Sequence, residues 1–181
     1  MPHTEIWYRY QFDFFRLGLL LSVVKKTEII NWADDQLLTE NWMKYSATLA
    51  ELSLSQEISE KELIALLTTI IGSPTSTLTG SRLLLGRLYA LQDLKNTISK
   101  LKRFIPLMRL SEKEEEKIKQ IYFHFNADYH LSPMTLDCIQ QAQKDALLFL
   151  QNYQDYTFQN LQQLTVIEQK LTLKLLNGYS L

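Results

Sequence analysis

Glycine and proline are scarce in this chain: five Gly and four Pro occur in 181 residues. An all-β protein of this length needs many tight turns, and these two residue types supply much of the backbone geometry that tight turns require. Helices joined by short loops need far fewer of them. The scarcity therefore indicates an all-α fold, and a content of 46% hydrophobic residues is enough to build a packed core.

Two helix starts are marked by the same four-residue signal. Ser59 is followed three residues later by Glu62, and Ser111 by Glu114, so each pair fits the Ser-x-x-Glu capping box. The first box predicts a helix that ends at Gly72, because glycine is favoured in the left-handed conformation that closes helices. The second box predicts a helix with an acidic first turn, which the helix dipole favours.

Apolar periodicity along the remaining segments completes the predicted architecture. The first helix is expected over about residues 5–20, followed by a turn at Ser22, whose side chain would cap the next helix. A helix over 78–94 contains Gly86, which is costly there unless it allows close packing. We expect a compact, single-domain bundle of about eight helices over residues 1–181, in which residues 156–181 form a C-terminal helical extension.

Cysteine usage and hydropathy predict a cytoplasmic protein. Cys138 is the single cysteine, so no internal disulfide forms and no thiolate cluster exists to hold zinc or an iron-sulfur centre. The apolar run over residues 14–24 is interrupted by Arg16 and Gly18, and it is too short for a membrane span or a secretory signal. We expect no membrane anchoring and no cofactor.

Three residues form the one grouping that suggests a metal site: His124, Asp128 and His130, spaced four and two apart. A metal-dependent hydrolase would use them, but the spacing matches neither His-Glu-x-x-His nor a facial triad. Packing of His124 beside Phe123, with loop hydrogen bonds from Asp128, explains the same residues without a metal. We therefore predict no metal site.

Other catalytic signals are weak as well. A catalytic Cys138 would need an activating histidine supplied by the fold, and we expect a buried, small apolar role instead. The stretch Gly80-Ser81-Arg82 lacks the Gly-Lys-Ser/Thr end of a phosphate-binding loop, and no Gly-x-Ser-x-Gly elbow occurs. The sequence predicts a protein that is not an enzyme.

Charge is distributed unevenly along a chain whose net charge is only −1. Residues 1–60 carry five Lys and Arg against nine Asp and Glu, a net −4, whereas residues 61–120 carry eleven against six, a net +5. The basic stretch 95–109 allows an alternative function, a helical regulator that binds nucleic acid. Its basic residues are interleaved with apolar ones. This pattern is also typical of an amphipathic helix whose basic side is solvated.

The acidic residues near the N-terminus include Glu28, Asp34, Asp35 and Glu40. Asp34 and Asp35 are adjacent, so on a helix their side chains diverge by about 100° and do not share a proton as a catalytic dyad would. Two roles remain open for this set: a solvated helix face, or a surface complementary to a basic partner.

A series of short segments resembles the small helical immunity proteins of bacterial polymorphic toxin systems, including those of contact-dependent growth inhibition. The resemblance extends over about residues 15–153. It is carried by Leu17-Gly18-Leu19-Leu20, Glu28-Ile29-Ile30-Asn31-Trp32-Ala33-Asp34, Leu49-Ala50-Glu51-Leu52-Ser53-Leu54-Ser55, the capped segment 62–70, Leu84-Leu85-Gly86-Arg87-Leu88-Tyr89, Leu110-Ser111-Glu112, Asp128-Tyr129-His130-Leu131 and Leu148-Phe149-Leu150-Gln151-Asn152-Tyr153.

This resemblance implies a cognate inhibitor that acts in the cytoplasm of the producing cell. Such a protein binds the C-terminal domain of a toxin, in many cases a nuclease, and blocks its active site or substrate entry. Nuclease substrate surfaces are basic, so an acidic patch on the inhibitor suits them. We therefore expect toxin contacts at Asp34, Asp35 and Glu40, with Asp128 and Tyr129 next.

Overall fold

The computed structural model describes residues 3–39, 45–92, 98, 100, 101, 103, 105–126 and 136–176. Eight α-helices and one 3-10 helix are formed in these residues, and no β-strand occurs among them, so the prediction of an all-α fold is confirmed. In chain order the helices are α1 His3–Leu20, α2 Lys26–Leu37, α3 Ser46–Ser53, α4 Glu60–Ile71, α5 Leu78–Leu91, α6 Glu112–Asn126, α7 Leu136–Gln151, the 3-10 helix Phe158–Gln163 and α8 Leu164–Leu176.

The chain divides into two compact units, residues 1–74 and residues 75–181. In the first unit α2 packs on α3, and α1 packs on α4. In the second unit α7 packs on both α5 and α6, and the 3-10 helix packs on α8. The expectation that residues 1–181 fold as one domain stays a prediction.

Helix α4 begins and ends as its sequence predicts. The Ser59 hydroxyl accepts a hydrogen bond from the backbone N–H of Glu62 at 3.3 Å, and the Glu62 carboxylate accepts one from the Ser59 N–H at 2.7 Å. Hydrogen bonds from the side chain and backbone of Ser59 lower the pKa of Glu62. At the other end Gly72 has a φ of 69°, a conformation that most L-residues avoid. Both helix-boundary predictions are confirmed.

The start of α2 corrects one prediction. Ser22 does not cap this helix: it adopts a φ of 51° in the turn after α1, and α2 begins four residues later at Lys26. The backbone N–H of Lys25 donates instead to the Glu28 carboxylate at 3.1 Å. The prediction was wrong because Ser22 belongs to the turn that ends α1, where it adopts a left-handed backbone conformation.

Gly18 makes that turn sterically possible. Its carbonyl accepts hydrogen bonds from the N–H groups of Val23 and Val24 at 2.8 and 3.1 Å, so the chain folds back closely over this residue. A Cβ atom at position 18 would lie 2.3 Å from Cγ2 of Val24. Only glycine leaves room for the reversal without displacing the valine.

Aromatic residues of α1 fill the core of the first unit. Phe12 is 1% exposed, and its ring meets Trp32 edge-on with centroids 5.9 Å apart. Phe15 approaches the same indole at 4.9 Å, and Tyr8 lies 4.7 Å from Tyr45. Such pairs add about 0.5–1.5 kcal/mol each to the stabilisation from buried area. Their burial shows that these α1 aromatics serve the core.

Hydrogen bonds connect α2 to the end of α3 and to the residues after it. Near the start of α2 the Lys26 ammonium donates to the carbonyls of Gln56 and Ile58 at 2.6 and 2.7 Å, beyond the end of α3. Near the end of α2 the carboxylate of Asp34 accepts a hydrogen bond from the hydroxyl of Ser53. These bonds place the end of α3 beside the second half of α2.

In the second unit Gly86 allows the segment after α7 to approach α5. A Cβ atom at this position would lie 2.5 Å from the Tyr156 carbonyl oxygen and 2.7 Å from that of Tyr153. Both obstacles are backbone atoms, which cannot rotate away. Close packing is therefore the reason for a glycine inside this helix.

Three other helix predictions differ from the structure in detail. Helix α5 ends at Leu91 rather than at residue 94, because Gln92 adopts a left-handed φ of 51°. The C-terminal segment, expected as one helix from residue 157, begins as a 3-10 helix and becomes α-helical at Leu164. Of the helix expected over 98–107, the described residues 98, 100, 101 and 103 are helical, whereas 105–107 form a turn.

Candidate functional site

Asp34 and Asp35, the first two residues expected to contact a partner, are both exposed on α2. The hydroxyl of Ser53 on α3 donates to the Asp34 carboxylate, so this acid is oriented by the neighbouring helix. Glu40, Asp128 and Tyr129, the other expected contacts, lie outside the described residues. Of the predicted set, the structure therefore brings together Asp34 and Asp35 alone.

Two exposed leucines are close in sequence to the bond between Asp34 and Ser53. Leu38 is 87% exposed and follows Asp34 by four residues, which places it on the same face of α2. Leu54 is 80% exposed and directly follows Ser53, the residue that bonds Asp34. We call Asp34, Asp35, Leu38, Leu54 and the exposed Glu51 the α2–α3 surface.

Sequence reasoning missed the two leucines, because a leucine at the end of a helical segment is usually a core residue. Leu38 and Leu54 each occupy the C-cap of a helix. A residue at the C-cap need not follow the buried face of the helix before it. The exact ends of α2 and α3, which put these leucines at the cap, are given only by the structure.

The α2–α3 surface keeps its negative sign because the described cations of α2 lie at the other end of the helix. Lys26 is eight residues from Asp34, about 12 Å along a helix that rises 1.5 Å per residue. That separation exceeds the Debye length of about 8 Å at physiological ionic strength. The Lys26 ammonium is also engaged by the carbonyls of Gln56 and Ile58. Within the described part of α2, no cation therefore lies close enough to neutralise Asp34 or Asp35.

A second polar cluster lies inside the second unit, around Arg82 of α5. Its Nε donates to Oε1 of Glu114 at 2.9 Å and its Nη2 donates to Oε2 at 3.2 Å, a bidentate pair between α5 and α6. Its Nη1 donates to the carboxylate of Glu168 on α8. The Tyr153 hydroxyl donates to Oε1 of Glu114 at 2.9 Å, and Ser111 donates to Oε2 from its N–H and its hydroxyl. We call these five residues the Arg82 cluster.

Ion pairing and hydrogen bonding keep Glu114 and Arg82 of the Arg82 cluster in their charged forms. Burial by itself raises the pKa of Glu114, but hydrogen bonding and the charge of Arg82, together with the bonds from Ser111, outweigh it and hold that pKa below its ordinary value. Burial lowers the pKa of Arg82, and the contacts with Glu114 more than reverse this effect. Glu114 is therefore an anion and Arg82 a cation at neutral pH.

Tyr156 adjoins the cluster and stays neutral. Burial raises the pKa of its phenol, and its hydroxyl lies beside Arg82 and Glu168 without a well-aligned hydrogen bond. The Arg82 side chain is 6% exposed and that of Glu114 is 0% exposed, so a substrate does not reach them. The cluster therefore acts to hold α5, α6 and α8 together.

No family model, curated protein or solved structure matches this chain. Within the described residues, none of the helices is both long and apolar enough to cross a membrane.

The residues considered for metal binding are only partly described. His124 is 61% exposed, and its Nδ1 lies 3.9 Å from the Asp145 carboxylate. Its ring lies beside that of Phe123, with centroids 6.4 Å apart. Asp128 and His130 lie outside the described residues, as does the side chain of Cys138. In the described part of the chain, no three His, Cys, Asp or Glu side chains are grouped as metal ligands.

The basic stretch 95–109 has the amphipathic character that its sequence indicates. Ile98 and Leu101 are buried, whereas Arg103 and Arg109 are exposed. Lys95 and Lys102 lie outside the described residues. Arg103 and Arg109 are therefore solvated, whereas Ile98 and Leu101 belong to the core of the second unit.

The Arg82 cluster predicts a specific dependence of stability on pH. The folded pKa of Glu114 lies below its unfolded value of about 4.5, so its contribution is complete above that pH and is lost as the pH falls through the folded pKa. In Glu114→Gln this titration is absent. We expect the difference in unfolding free energy between the two proteins, from urea denaturation followed by circular dichroism, to shrink below about pH 4.5. A difference that stays constant down to acid pH would contradict the pairing.

Proposed function

We propose that this chain is an immunity protein, which binds a cognate toxin domain through the α2–α3 surface and covers its active site or substrate entry. The observation that carries the proposal is the combination of Asp34 and Asp35 with two leucines that are 87% and 80% exposed. The resemblance of residues 15–153 to helical immunity proteins supports the same function.

The two kinds of residue on this surface would contribute in different ways. Carboxylates attract a basic surface at long range and speed its encounter with the inhibitor. Leucines supply the stabilisation of the complex, because burying such a side chain fully contributes about 1.5–3 kcal/mol. A toxin that acts on nucleic acid carries the complementary basic surface.

Genetic context and rescue test the proposal. We expect the gene upstream to encode a large secreted protein with a variable C-terminal domain, and that domain alone to stop the growth of cells that produce it. Co-production of the full chain should restore growth. Absence of such a gene, together with no rescue from any candidate toxin domain, would contradict the proposal.

Reversing two charges tests the contact face. We expect Asp34→Lys with Asp35→Lys to weaken binding of that toxin domain by about tenfold or more, because like charges would then face each other. The association rate should also lose most of its dependence on salt. Both quantities can be measured by surface plasmon resonance at several ionic strengths.

A matched control reverses two exposed acids of the second unit, Glu116→Lys with Asp155→Lys. This variant has the same net charge as the test variant, and we expect its affinity to stay within about twofold of the unmodified chain because rim or distant charges contribute little. Unchanged affinity and salt dependence in the Asp34 and Asp35 variant would exclude the α2–α3 surface. Equal losses in both variants would show a response to net charge alone.

A further inference from the structure

Helix α8 carries apolar residues on two opposite faces. On one face the spacing is i, i+4 and i+8, and the side chains are buried: Ile167, Leu171 and Leu175. On the other face the spacing is i, i+7 and i+10, and the side chains are 51%, 61% and 66% exposed: Val166, Leu173 and Leu176. Because an α-helix turns by about 100° per residue, the exposed three lie within an arc of about 80°, opposite the buried three. We call Val166, Leu173 and Leu176 the outer stripe.

The buried face already holds α8 in place. Its Glu168 accepts a hydrogen bond from Arg82, and its Leu175 carbonyl accepts one from the Lys113 ammonium at 3.2 Å. Neither contact involves the side chains of the outer stripe. Apolar residues scattered singly over a surface are common, but a helix that is apolar on both faces is normally covered on both. The outer stripe therefore has the character of a binding surface that one copy of this chain leaves open.

One flank of the outer stripe is basic. Lys170 and Lys174 are exposed one turn apart beside the stripe, and neither forms an ion pair with a residue that the structure describes. The other flank is uncharged and consists of the exposed Thr165 and Thr172. Glu168, the single acidic residue of α8, lies toward the buried face, where it pairs within the Arg82 cluster. An approaching partner thus meets apolar side chains with positive charge along one side only.

From this pattern we infer that the outer stripe binds an amphipathic helix of a partner protein, and that this helix carries carboxylates along one flank. The apolar face of the partner helix packs on Val166, Leu173 and Leu176. Its carboxylates pair with Lys170 and Lys174. The spacing of the stripe supports a helical partner, because i, i+7 and i+10 are the a, a and d positions by which two helices pack side by side. This binding surface belongs to the second unit and is independent of the proposed toxin contact.

Charge on one flank distinguishes this partner from a second copy of the chain. When two identical helices pack antiparallel, each flank faces the same flank of the other helix, so Lys170 and Lys174 would meet like charges. When they pack parallel, the basic flank faces the flank of Thr165 and Thr172 and gains no ion pair. Residues 177–181, which follow α8, contain no Asp or Glu that would supply one. An acidic flank on a different protein forms ion pairs in either direction.

A membrane surface fits the outer stripe less well. Helices that lie in a membrane interface carry basic residues across their polar face, so that both edges of the apolar stripe meet anionic headgroups. In α8 one edge is uncharged. The exposed Gln169 also occupies a d position between the apolar residues of the stripe. An amide there is costly to bury in lipid, whereas a side chain of a partner protein can form a hydrogen bond with it.

Two synthetic peptides test the inferred surface. Both consist of about three heptads with leucine at a and d; one has glutamate and the other lysine at e and g. Repulsion between like charges keeps each peptide from pairing with itself. In titrations followed by fluorescence anisotropy, the full chain should bind the glutamate peptide saturably. The lysine peptide should bind at least about tenfold more weakly, because its flanks repel Lys170 and Lys174.

Exchanging the charges should reverse this preference. We expect Lys170→Glu with Lys174→Glu to bind the lysine peptide more tightly than the glutamate peptide. The control Lys61→Glu with Lys144→Glu makes the same change in net charge at exposed lysines of other helices, and it should keep the original preference. Equal shifts in the two variants would overturn the inference, as would equal binding of both peptides to the unmodified chain.

Removing apolar groups tests the stripe itself. Leu173→Gln with Leu176→Gln should weaken binding of the glutamate peptide by at least about tenfold, while circular dichroism shows unchanged helix content. Leu38→Gln, at a leucine of the α2–α3 surface that is 87% exposed, should leave the binding unchanged. An absence of saturable binding, or equal losses in these two leucine variants, would overturn the inference.

Two further measurements detect a different occupant. Self-association in sedimentation equilibrium that is lost in Leu173→Gln with Leu176→Gln would show that a second copy covers the stripe. Cosedimentation with vesicles that contain phosphatidylserine, lost in the same variant, would show a membrane. We expect neither result, and either one would overturn the inference.

Discussion

Glu114→Ala is expected to lower the free energy of unfolding by about 3–5 kcal/mol, the usual loss when one partner of a buried ion pair is removed. Glu114 accepts hydrogen bonds from Arg82, Ser111 and Tyr153 and is 0% exposed. Without its carboxylate, the buried guanidinium of Arg82 keeps only Glu168 as an anionic partner. The cap of α6 is lost at the same time.

The matched control is the next residue along α6. Glu115 pairs with Lys119 at 3.3 Å, but these side chains are 34% and 61% exposed. We expect Glu115→Ala to change the unfolding free energy by less than about 1 kcal/mol, as for other exposed ion pairs. Urea denaturation followed by circular dichroism measures both variants. Similar losses in the two would contradict the role of the Arg82 cluster.

The same denaturation curves test whether residues 1–181 form one domain. Trp7, Trp32 and Trp42, the three tryptophans of the chain, all lie in the first unit, whereas circular dichroism reports on every helix. If the chain unfolds as one domain, Glu114→Ala shifts the fluorescence and dichroism transitions together. A shift of the dichroism transition with unchanged tryptophan fluorescence would show that the second unit unfolds separately, and would overturn the single-domain prediction.

Phe12→Ala is expected to have an effect of similar size in the first unit, about 3–5 kcal/mol, through loss of buried area and the hole left behind. Phe12 is 1% exposed and is surrounded by the rings of Tyr8, Trp32 and Tyr45. Neighbouring side chains in a packed core relax only in part around such a hole. The midpoint of urea unfolding, followed by tryptophan fluorescence, measures the loss.

Phe123→Ala provides the matched control, since the same side chain is removed from a position that is 68% exposed. We expect a change within about 0.5 kcal/mol there, which is usual for surface substitutions. The core assignment of the α1 aromatics would be wrong if Phe12→Ala proved as mild as Phe123→Ala.

Helix boundaries could be predicted where the residues that determine them lie within one helical turn of the boundary. The capping box of Ser59 with Glu62 and the left-handed Gly72 need no information from distant residues, and both predictions are confirmed. Ser22 carries an equally local signal, but the close approach of Val24 to Gly18 decides that turn. The sequence does not show which of two neighbouring helix ends a serine belongs to.

The candidate surface was predictable in part. Asp34 and Asp35 follow from charge and periodicity, and the structure places both at the surface. The two leucines could not be assigned to this surface, because their position depends on the packing of α2 against α3. Nor does charge patterning reveal that Arg16 is buried against Asp13.

What the sequence by itself determined is the all-α class, the capped helix starts and the excess of acidic residues in the first third, since each depends on residues close together in the chain. Only the tertiary structure decided the second role of Glu114. Its partners Arg82 and Tyr153 are 32 and 39 residues away, and Arg82 also reaches Glu168 across 86 residues. Contacts over such separations exist only after helix packing has buried the groups together, and burial is what makes their pairing energetically necessary.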